Sequence, residues 1–473
     1  MKSPSTECMK YIFNPRSIAI IGVSTGQANW NSQLFLRGLL NFRYSGKIYP
    51  VNPKGGEILG LKVYPGIRDI PGAIDYAYYV TPAQHTPSIM EDCAIKGVKV
   101  VCIFSAGFSE SDQGGKQLES TIVSIAQKKG TRVIGPNCMG AYCPSSNLSY
   151  ITGFPKEAGK VAFISQSGGN VTDLVYMGAS RGIRFSKTIS YGNACDLNET
   201  DFLEYLVHDP DTEIIAAYIE GVKDGPRFLQ ALKEATAIKP VVMLKGGKTS
   251  AGSKAVASHT GQLAGKGEIW EAIYKQSSAI AVSDLEEMVD TILAFLFIPS
   301  TIGHKVAILT SGGGAGVRAA DECESAGLSV PPLPSEAAKL SKFTLQAGCS
   351  VTNPVDSEAA LREGTAAETV RVLLNCPETD LLVRLIRVDA ILFALPNGVR
   401  RLTTAIDGLI TAGAETSKPI VVVLRSSNSL EAQRAVIDIQ KRCYEAGFPV
   451  YPTVKRAANA ISKFLKYHQD RGE

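Results

Sequence analysis

Short apolar runs alternate along this chain with longer stretches in which apolar residues return at helical spacing. Before residue 147 the runs fall at 17–22 (Ser-Ile-Ala-Ile-Ile-Gly), 47–52, 75–80, 99–104 and 132–135, with helix-length segments at 87–96 and 113–129 between them. The pattern then repeats: strand-like runs at 160–165, 213–219 and 240–245, and further ones at 305–310, 390–395 and 419–424. Alternation of this kind predicts parallel sheets covered by helices, an α/β class, with ligands beyond the carboxyl ends of the strands. Residues 297–304 (Phe-Ile-Pro-Ser-Thr-Ile-Gly-His) read as a linker. Three α/β domains are expected, at 1–147, 148–298 and 303–473.

Composition narrows the class. A chain of 473 residues suits three domains at roughly 150 residues each. A net charge of +4, evenly spread, argues against a nucleic-acid partner and is compatible with small anionic ligands. The ten cysteines are scattered singly with no CxxC pair, which fits neither a zinc site nor a disulfide framework and suggests reduced thiols in a cytoplasmic protein. No apolar leader core opens the chain, and the apolar stretch at 291–299 is far short of the ~20 residues a membrane helix needs. No membrane association is expected.

The strand ends carry the chemistry. The first strand runs into Gly22-Val-Ser-Thr-Gly26, so a phosphate has a place at the following helix N-terminus. The GxGxxG dinucleotide fingerprint is absent. The second strand ends in Asn52-Pro53-Lys54, where an NAD domain would put an acidic residue for the ribose hydroxyls. A basic residue there suits a ligand phosphorylated on its ribose, which leaves NADP and coenzyme A both open. Two later strand ends are Val80-Thr81-Pro82 and Gly135-Pro-Asn137-Cys138.

In the middle segment the strand ending at Ser165 leads into Gln166-Ser167-Gly168-Gly169 and a helical stretch, an anion-binding arrangement of free amides and a helix dipole. Another strand delivers Glu220 at its carboxyl end. After the strand 240–245 and a loop at 246–253 comes Ala257-Ser-His259-Thr-Gly261, which holds one of five histidines among small residues. A carboxylate at a strand end can fix an imidazole tautomer and stabilise its charged or phosphorylated form. Two Walker-like strings, 246–249 and 261–266, each lack the first glycine, with Val242 and Thr260 in its place. In the last segment Ser311-Gly312-Gly313-Gly314 repeats the strand, Ser/Gly turn and helix, with the helix expected from about Val317.

Taken in order, Ile20-Ile-Gly22, Tyr49-Pro-Val-Asn-Pro53, Ser105-Ala-Gly-Phe108, Gly135-Pro-Asn-Cys138, Ile164-Ser-Gln-Ser-Gly168, Tyr218-Ile-Glu-Gly221, Ser258-His-Thr-Gly261 and Asn353-Pro-Val-Asp356 resemble the NDP-forming acyl-CoA synthetases, relatives of succinyl-CoA synthetase. The resemblance implies a Rossmann-like coenzyme A domain followed by two flavodoxin-like ligase domains. By it, Gly22, Ser24, Asn52, Pro53, Lys54, Val80, Thr81, Pro82, Asn137 and Cys138 hold coenzyme A. Ser165 to Gly169 and Ser311 to Gly314 hold phosphate, His259 is the residue phosphorylated in turnover, and Glu220 is its partner. No metal site is implied within the chain.

Nothing after residue 303 reads as an ATP-grasp module, so the chain resembles the α subunit, with ATP or ADP and magnesium on a separate ATP-grasp β subunit in an αβ hetero-oligomer. The implied reaction interconverts acyl-CoA, ADP and phosphate with carboxylic acid, CoA and ATP. The chain departs from the family pattern at Gly169-Asn-Val-Thr-Asp173 and Ser190-Tyr-Gly-Asn-Ala-Cys-Asp196, which puts the acyl substrate in doubt. A non-catalytic CoA sensor or scaffold and an NADP oxidoreductase are the competing readings.

Overall fold

The computed structural model describes residues 4–24, 30–260, 267–333, 339–340, 342, 350–426 and 429–472, the side chains of 4–6, 30–31 and 257–260 excepted. The chain divides into two compact units, residues 1–179 with 184–288, and residues 180–183 with 289–473.

The first unit holds two sheets. One is built from β1 (Ser17–Ile21), β2 (Lys47–Val51), β5 (Tyr76–Tyr79), β6 (Val100–Ile103) and β7 (Arg132–Ile134), all parallel in the order β2-β1-β5-β6-β7, with β3 (Gly56–Ile58) and β4 (Leu61–Val63) as a side hairpin. The other contains β8 (Gly140–Tyr142), β9 (Val161–Ser165), β10 (Phe185–Ser190), β11 (Ile214–Ile219), β12 (Val241–Lys245) and β13 (Ile280–Val282), in the order β13-β12-β11-β9-β10-β8. Only β8 in this second sheet runs antiparallel to its neighbour. Every residue of β1, β9 and β12 is buried, as continuous apolar runs with helices on both faces require.

From β9 the chain goes to β10 on one side and then to β11 on the other, so the strand order reverses at β9. In such sheets the crevice at the carboxyl ends of the reversing strands is the ligand position.

The loop after β10 ties the two sheets of this unit together. Asp196 accepts from Nε and Nη2 of Arg132 at 2.8 and 2.9 Å and from the Val133 amide at 2.9 Å. The Asn193 side-chain amide donates to Glu110 and Glu119 at 2.5 and 2.7 Å, and Glu110 in turn accepts the Phe108 amide at 3.1 Å. The altered 190–196 run therefore anchors the 105–110 loop against the second sheet.

The second unit has one five-stranded parallel sheet, β15-β14-β16-β17-β18, from β14 (Val306–Thr310), β15 (Val355–Asp356), β16 (Leu381–Arg387), β17 (Ile420–Arg425) and β18 (Val450–Tyr451). One apolar cluster, including Leu309, Leu382, Ile386, Ile406, Leu409 and Val422, fills one side of it. Arg384 is buried on the central strand β16, its guanidinium donating to the Leu309 carbonyl at 3.2 Å; desolvation lowers its pKa to about 10.

Three expectations are corrected. Residues 390–395 are not a strand: Val388–Ala394 is a helix, and the strand lies just before it at Leu381–Arg387. The helix after the Ser311 turn begins at Gly313, not near Val317. Most of the expected loop at 246–253 is also shorter, because a helix covers Ser250–Thr260.

Candidate active site

The residues expected at coenzyme A lie at the carboxyl edge of the first sheet. Gly22 leaves β1 with φ +98°, its amide on the Val51 carbonyl at 2.9 Å, and a Cβ there would sit 2.3 Å from Thr81 Cγ2. Only glycine accepts both constraints. Ser24 donates its amide to Ser32 Oγ at 3.2 Å; residues 25–29, which include Gly26, lie outside the described residues. Asn52 ties β2 to β1 through Nδ2 to the Val23 carbonyl at 2.7 Å and accepts the Lys54 amide at 3.0 Å, leaving Pro53 and Lys54 exposed. Ser105 donates to the Thr81 carbonyl at 2.5 Å and Tyr79 to the Pro82 carbonyl at 2.8 Å, which fixes the Val80-Thr81-Pro82 exit. Asn137, in a left-handed conformation at φ +58°, donates its amide to the Ser105 carbonyl at 3.1 Å.

These exits meet the second sheet. A cavity of about 340 Å3 is lined by Phe104, Asn137, Cys138 and Met139 from the first sheet's side and by the Gln166-to-Gly169 turn and Thr172 from the other. At Gly168 an added Cβ would stand 2.5 Å from Met139 Cγ, so the close approach of the turn needs a residue without one.

Within the turn the side chains hold the backbone. Ser165 Oγ donates to the Ser167 carbonyl at 2.7 Å and accepts the Ser167 amide at 3.1 Å. Ser167 Oγ accepts the Asn170 amide at 3.3 Å, capping the helix Gly168–Ser180. The Gln166 side-chain oxygen accepts the Gly221 amide at 3.0 Å and the Glu220 amide by a short bond. What the turn offers an oxyanion is therefore the backbone at Gly168 and Gly169, in the first turn of the helix.

Glu220 leaves β11 buried, with 4% of its surface exposed, and its carboxylate accepts Tyr218 OH at 3.1 Å. On the far side Lys245, the last residue of β12, donates to the Glu220 carbonyl at 2.8 Å. Burial lowers the Lys245 pKa to about 8, with Glu220 acting to raise it and Lys248 to lower it. Sequence reasoning gave Lys245 no role, and Tyr218 none beyond its place in the Tyr218-to-Gly221 motif. A lone lysine closing an apolar strand was the available signal for the first.

His259 falls on the helix Ser250–Thr260, while its side chain and residues 261–266 lie outside the described residues. In the second unit, Ser311 to Gly314 make the turn from β14 into the helix Gly313–Ser325. The Gly312 amide donates to Asp356 Oδ1 at 2.6 Å, and Arg387 Nη1 donates to the Ser311 carbonyl at 3.4 Å. Asn353, from the Asn-Pro-Val-Asp string, extends the edge of β14 by donating to the Val306 carbonyl at 2.7 Å and accepting the Ile308 amide at 2.9 Å. Among the described residues no group of three or more His, Cys, Asp or Glu is arranged to hold a metal, and no helix is long and apolar enough to cross a membrane.

Comparison with known proteins adds five findings. Residues 16–144 match a family described as a CoA binding domain, and residues 158–295 match a succinyl-CoA ligase like flavodoxin domain. The chain is 37% identical over 466 residues to the α subunit of acetate–CoA ligase [ADP-forming] II of Pyrococcus furiosus, covering 98% of this chain and 99% of that one. It is 35% identical to acetate–CoA ligase [ADP-forming] I of Archaeoglobus fulgidus, covering 97% of this chain but 64% of that protein. The structure matches dinucleotide forming acetyl-coenzyme A synthetase 1 of Ca. Korarchaeum cryptofilum, solved with phosphate and ADP, at a TM-score of 0.82 and 31% identity, covering 98% of this chain and 97% of that one.

Proposed function

The chain belongs to the ADP-forming acyl-CoA synthetases, as the α subunit of an acid–CoA ligase, and on that premise we propose that it makes the acyl phosphate and carries the phosphoryl group on His259. Similarity to ligase subunits over almost the whole length sets aside the non-catalytic alternative. The match to a CoA-binding family favours coenzyme A over NADP.

Coenzyme A is assigned to the first sheet's exits: Gly22, Ser24, Asn52 to Lys54, Val80 to Pro82, Asn137 and Cys138. The observation that carries the reading is the shared cavity, where Asn137 and Cys138 stand across from the Ser167-to-Gly169 turn. It lets a thioester delivered by one sheet meet a phosphate held by the other. A phosphate oxygen attacks the thioester carbonyl, a C–O bond forms, the C–S bond breaks, and CoA leaves. The backbone at Gly168 and Gly169 stabilises the phosphoryl oxygens, with Ser165 to Ser167 shaping the turn. A neutral imidazole nitrogen of His259 then attacks phosphorus, expelling the carboxylate. The proton on the other ring nitrogen is the natural partner of the Glu220 carboxylate.

Ser311, Gly312, Gly313 and Gly314 are assigned to phosphate on the family resemblance, with the Gly312 amide already given to Asp356. Transfer from phosphohistidine to ADP is assigned to an ATP-grasp β subunit that holds the nucleotide and its magnesium, in a cytoplasmic αβ hetero-oligomer. The greater length of the Archaeoglobus relative supports a second module outside this chain.

The test is to incubate the full chain with labelled phosphate and a panel of acyl-CoAs, beginning with acetyl-CoA. An acid-labile, base-stable label is expected, lost in His259→Ala. That variant is expected to keep arsenate-driven release of CoA, which needs only the first step. No label with any acyl-CoA, despite CoA binding, would overturn the reading.

A further inference from the structure

Lys245 is 3% exposed at the end of β12, paired in register with Ile219, the residue before Glu220. Its ammonium donates to two main-chain carbonyls, that of Glu220 at 2.8 Å and, by a short bond, that of Gly246. It also lies over the Trp270 ring, 5.1 Å from the centroid. Trp270 belongs to the helix Gly267–Ser277, and Gly246 is the first residue after β12. The ammonium thus touches both ends of the 246–270 excursion that carries His259, together with the strand exit that carries Glu220. From the opposite side Gln166 accepts the Glu220 amide. The Glu220 backbone is held at its amide by one neighbouring strand exit and at its carbonyl by the other.

Taking an ammonium out of water is costly unless its hydrogens are well used. Here two go to carbonyls at neighbouring strand exits and the charge faces an aromatic ring, an arrangement that a neutral side chain of similar length cannot reproduce. A groove of about 590 Å3 runs beside it, where Asp173, Asp284 and Glu286 contribute acidic groups and Tyr218 and Asn170 complete the wall near Glu220.

We propose that Lys245 is a positioning residue for phosphoryl transfer to His259, holding Glu220 and the root of the histidine-bearing segment in one register. The inference rests on His259 being the phosphorylated residue, and it assigns Lys245 no part in thioester cleavage. Among the described residues the charged groups around it are Glu220 at the exit of β11, Lys248 from the following loop, and the three acidic residues that line the groove with it. With the Lys245 pKa lowered to about 8 by burial, the cationic clamp is present at neutral pH and is lost as pH rises toward 9.

The experiment compares wild type, Lys245→Met and Lys245→Arg in two assays on the full chain: arsenate-driven CoA release from acetyl-CoA, and labelling of His259 from acetyl-CoA and labelled phosphate. K245M is expected to release CoA within about twofold of wild type and to label at least tenfold more slowly, with K245R recovering part of the loss. Relative to CoA release, wild-type labelling is expected to fall severalfold between pH 7 and 9, and K245R labelling to stay level. Wild-type labelling rates in K245M, or equal loss in both assays, overturn the inference. Should K245M not fold, Lys245→Gln takes its place in the same two assays, and wild-type labelling or equal loss in both overturns the inference. Absence of label in wild type would instead sink the assignment of His259 itself.

Discussion

The side-chain oxygen of Gln166 accepts the main-chain amides of both Glu220 and Gly221, so one glutamine joins the Ser165-to-Gly169 turn after β9 to the acid at the end of β11. Both hydrogen bonds are buried, at a strand exit where the ladder ends.

Gln166→Ala is therefore expected to leave two buried amides unpaired, at about 1–3 kcal/mol each. A loss of about 2–6 kcal/mol in urea unfolding should accompany slower His259 labelling. Gln166→Glu keeps an acceptor but buries a carboxylate close to Glu220, so it should recover only part of the stability, and less as pH rises. Wild-type stability in Gln166→Ala would show that this link is not structural.

The contact between Gly168 and Met139 sets a second expectation. A methyl at 168 would press on Met139 Cγ at 2.5 Å and push the thioether into the cavity that both residues line. Gly168→Ala should raise the KM for phosphate severalfold, and adding Met139→Ala should return much of it. A double-mutant cycle on KM should give coupling of about 1 kcal/mol or more. Additive effects would mean that the two residues do not compete for the space.

Glu199, 2% exposed at the start of the helix Glu199–Leu206, gives a pH signature. Burial pushes its carboxyl up from 4.5 to about 7, against the attraction of its backbone hydrogen bond and of Lys223 and Arg227. The folded state then binds the proton more tightly than the unfolded state. Its contribution to stability is full below pH 4.5 and is lost as pH rises through 7, about 3 kcal/mol in all. Glu199→Gln should flatten the difference in urea midpoint between pH 5 and 7.5. An unchanged slope would place the titration elsewhere.

Much of the protein was legible without coordinates. Buried parallel strands must be apolar on both faces, so many of them stood out as runs, and a tight strand-to-helix turn favours glycine and serine, so the turns at 165–169 and 311–314 were visible. The sequence by itself determined the α/β class, the strand exits at 22, 52, 80, 165, 220 and 310, and the identity of the family, because motif order survives where single motifs are ambiguous.

Tertiary structure decided what local pattern leaves open. The runs at 381–387 and 390–395 are both apolar enough for a strand, and periodicity cannot rank them. The first became β16 because it pairs with β14 on one side and β17 on the other, and the second closed into a helix. The loop expected at 246–253 ends at Thr249, because alanine and lysine favour a helix and one forms over Ser250–Thr260. The roles of Gln166 and Lys245 were invisible in sequence, because a side chain's partner across neighbouring strands is set by register. That register brings residues from positions 166, 220 and 245 together at one edge of the second sheet, where their hydrogen bonds to backbone fix the Glu220 acid in place.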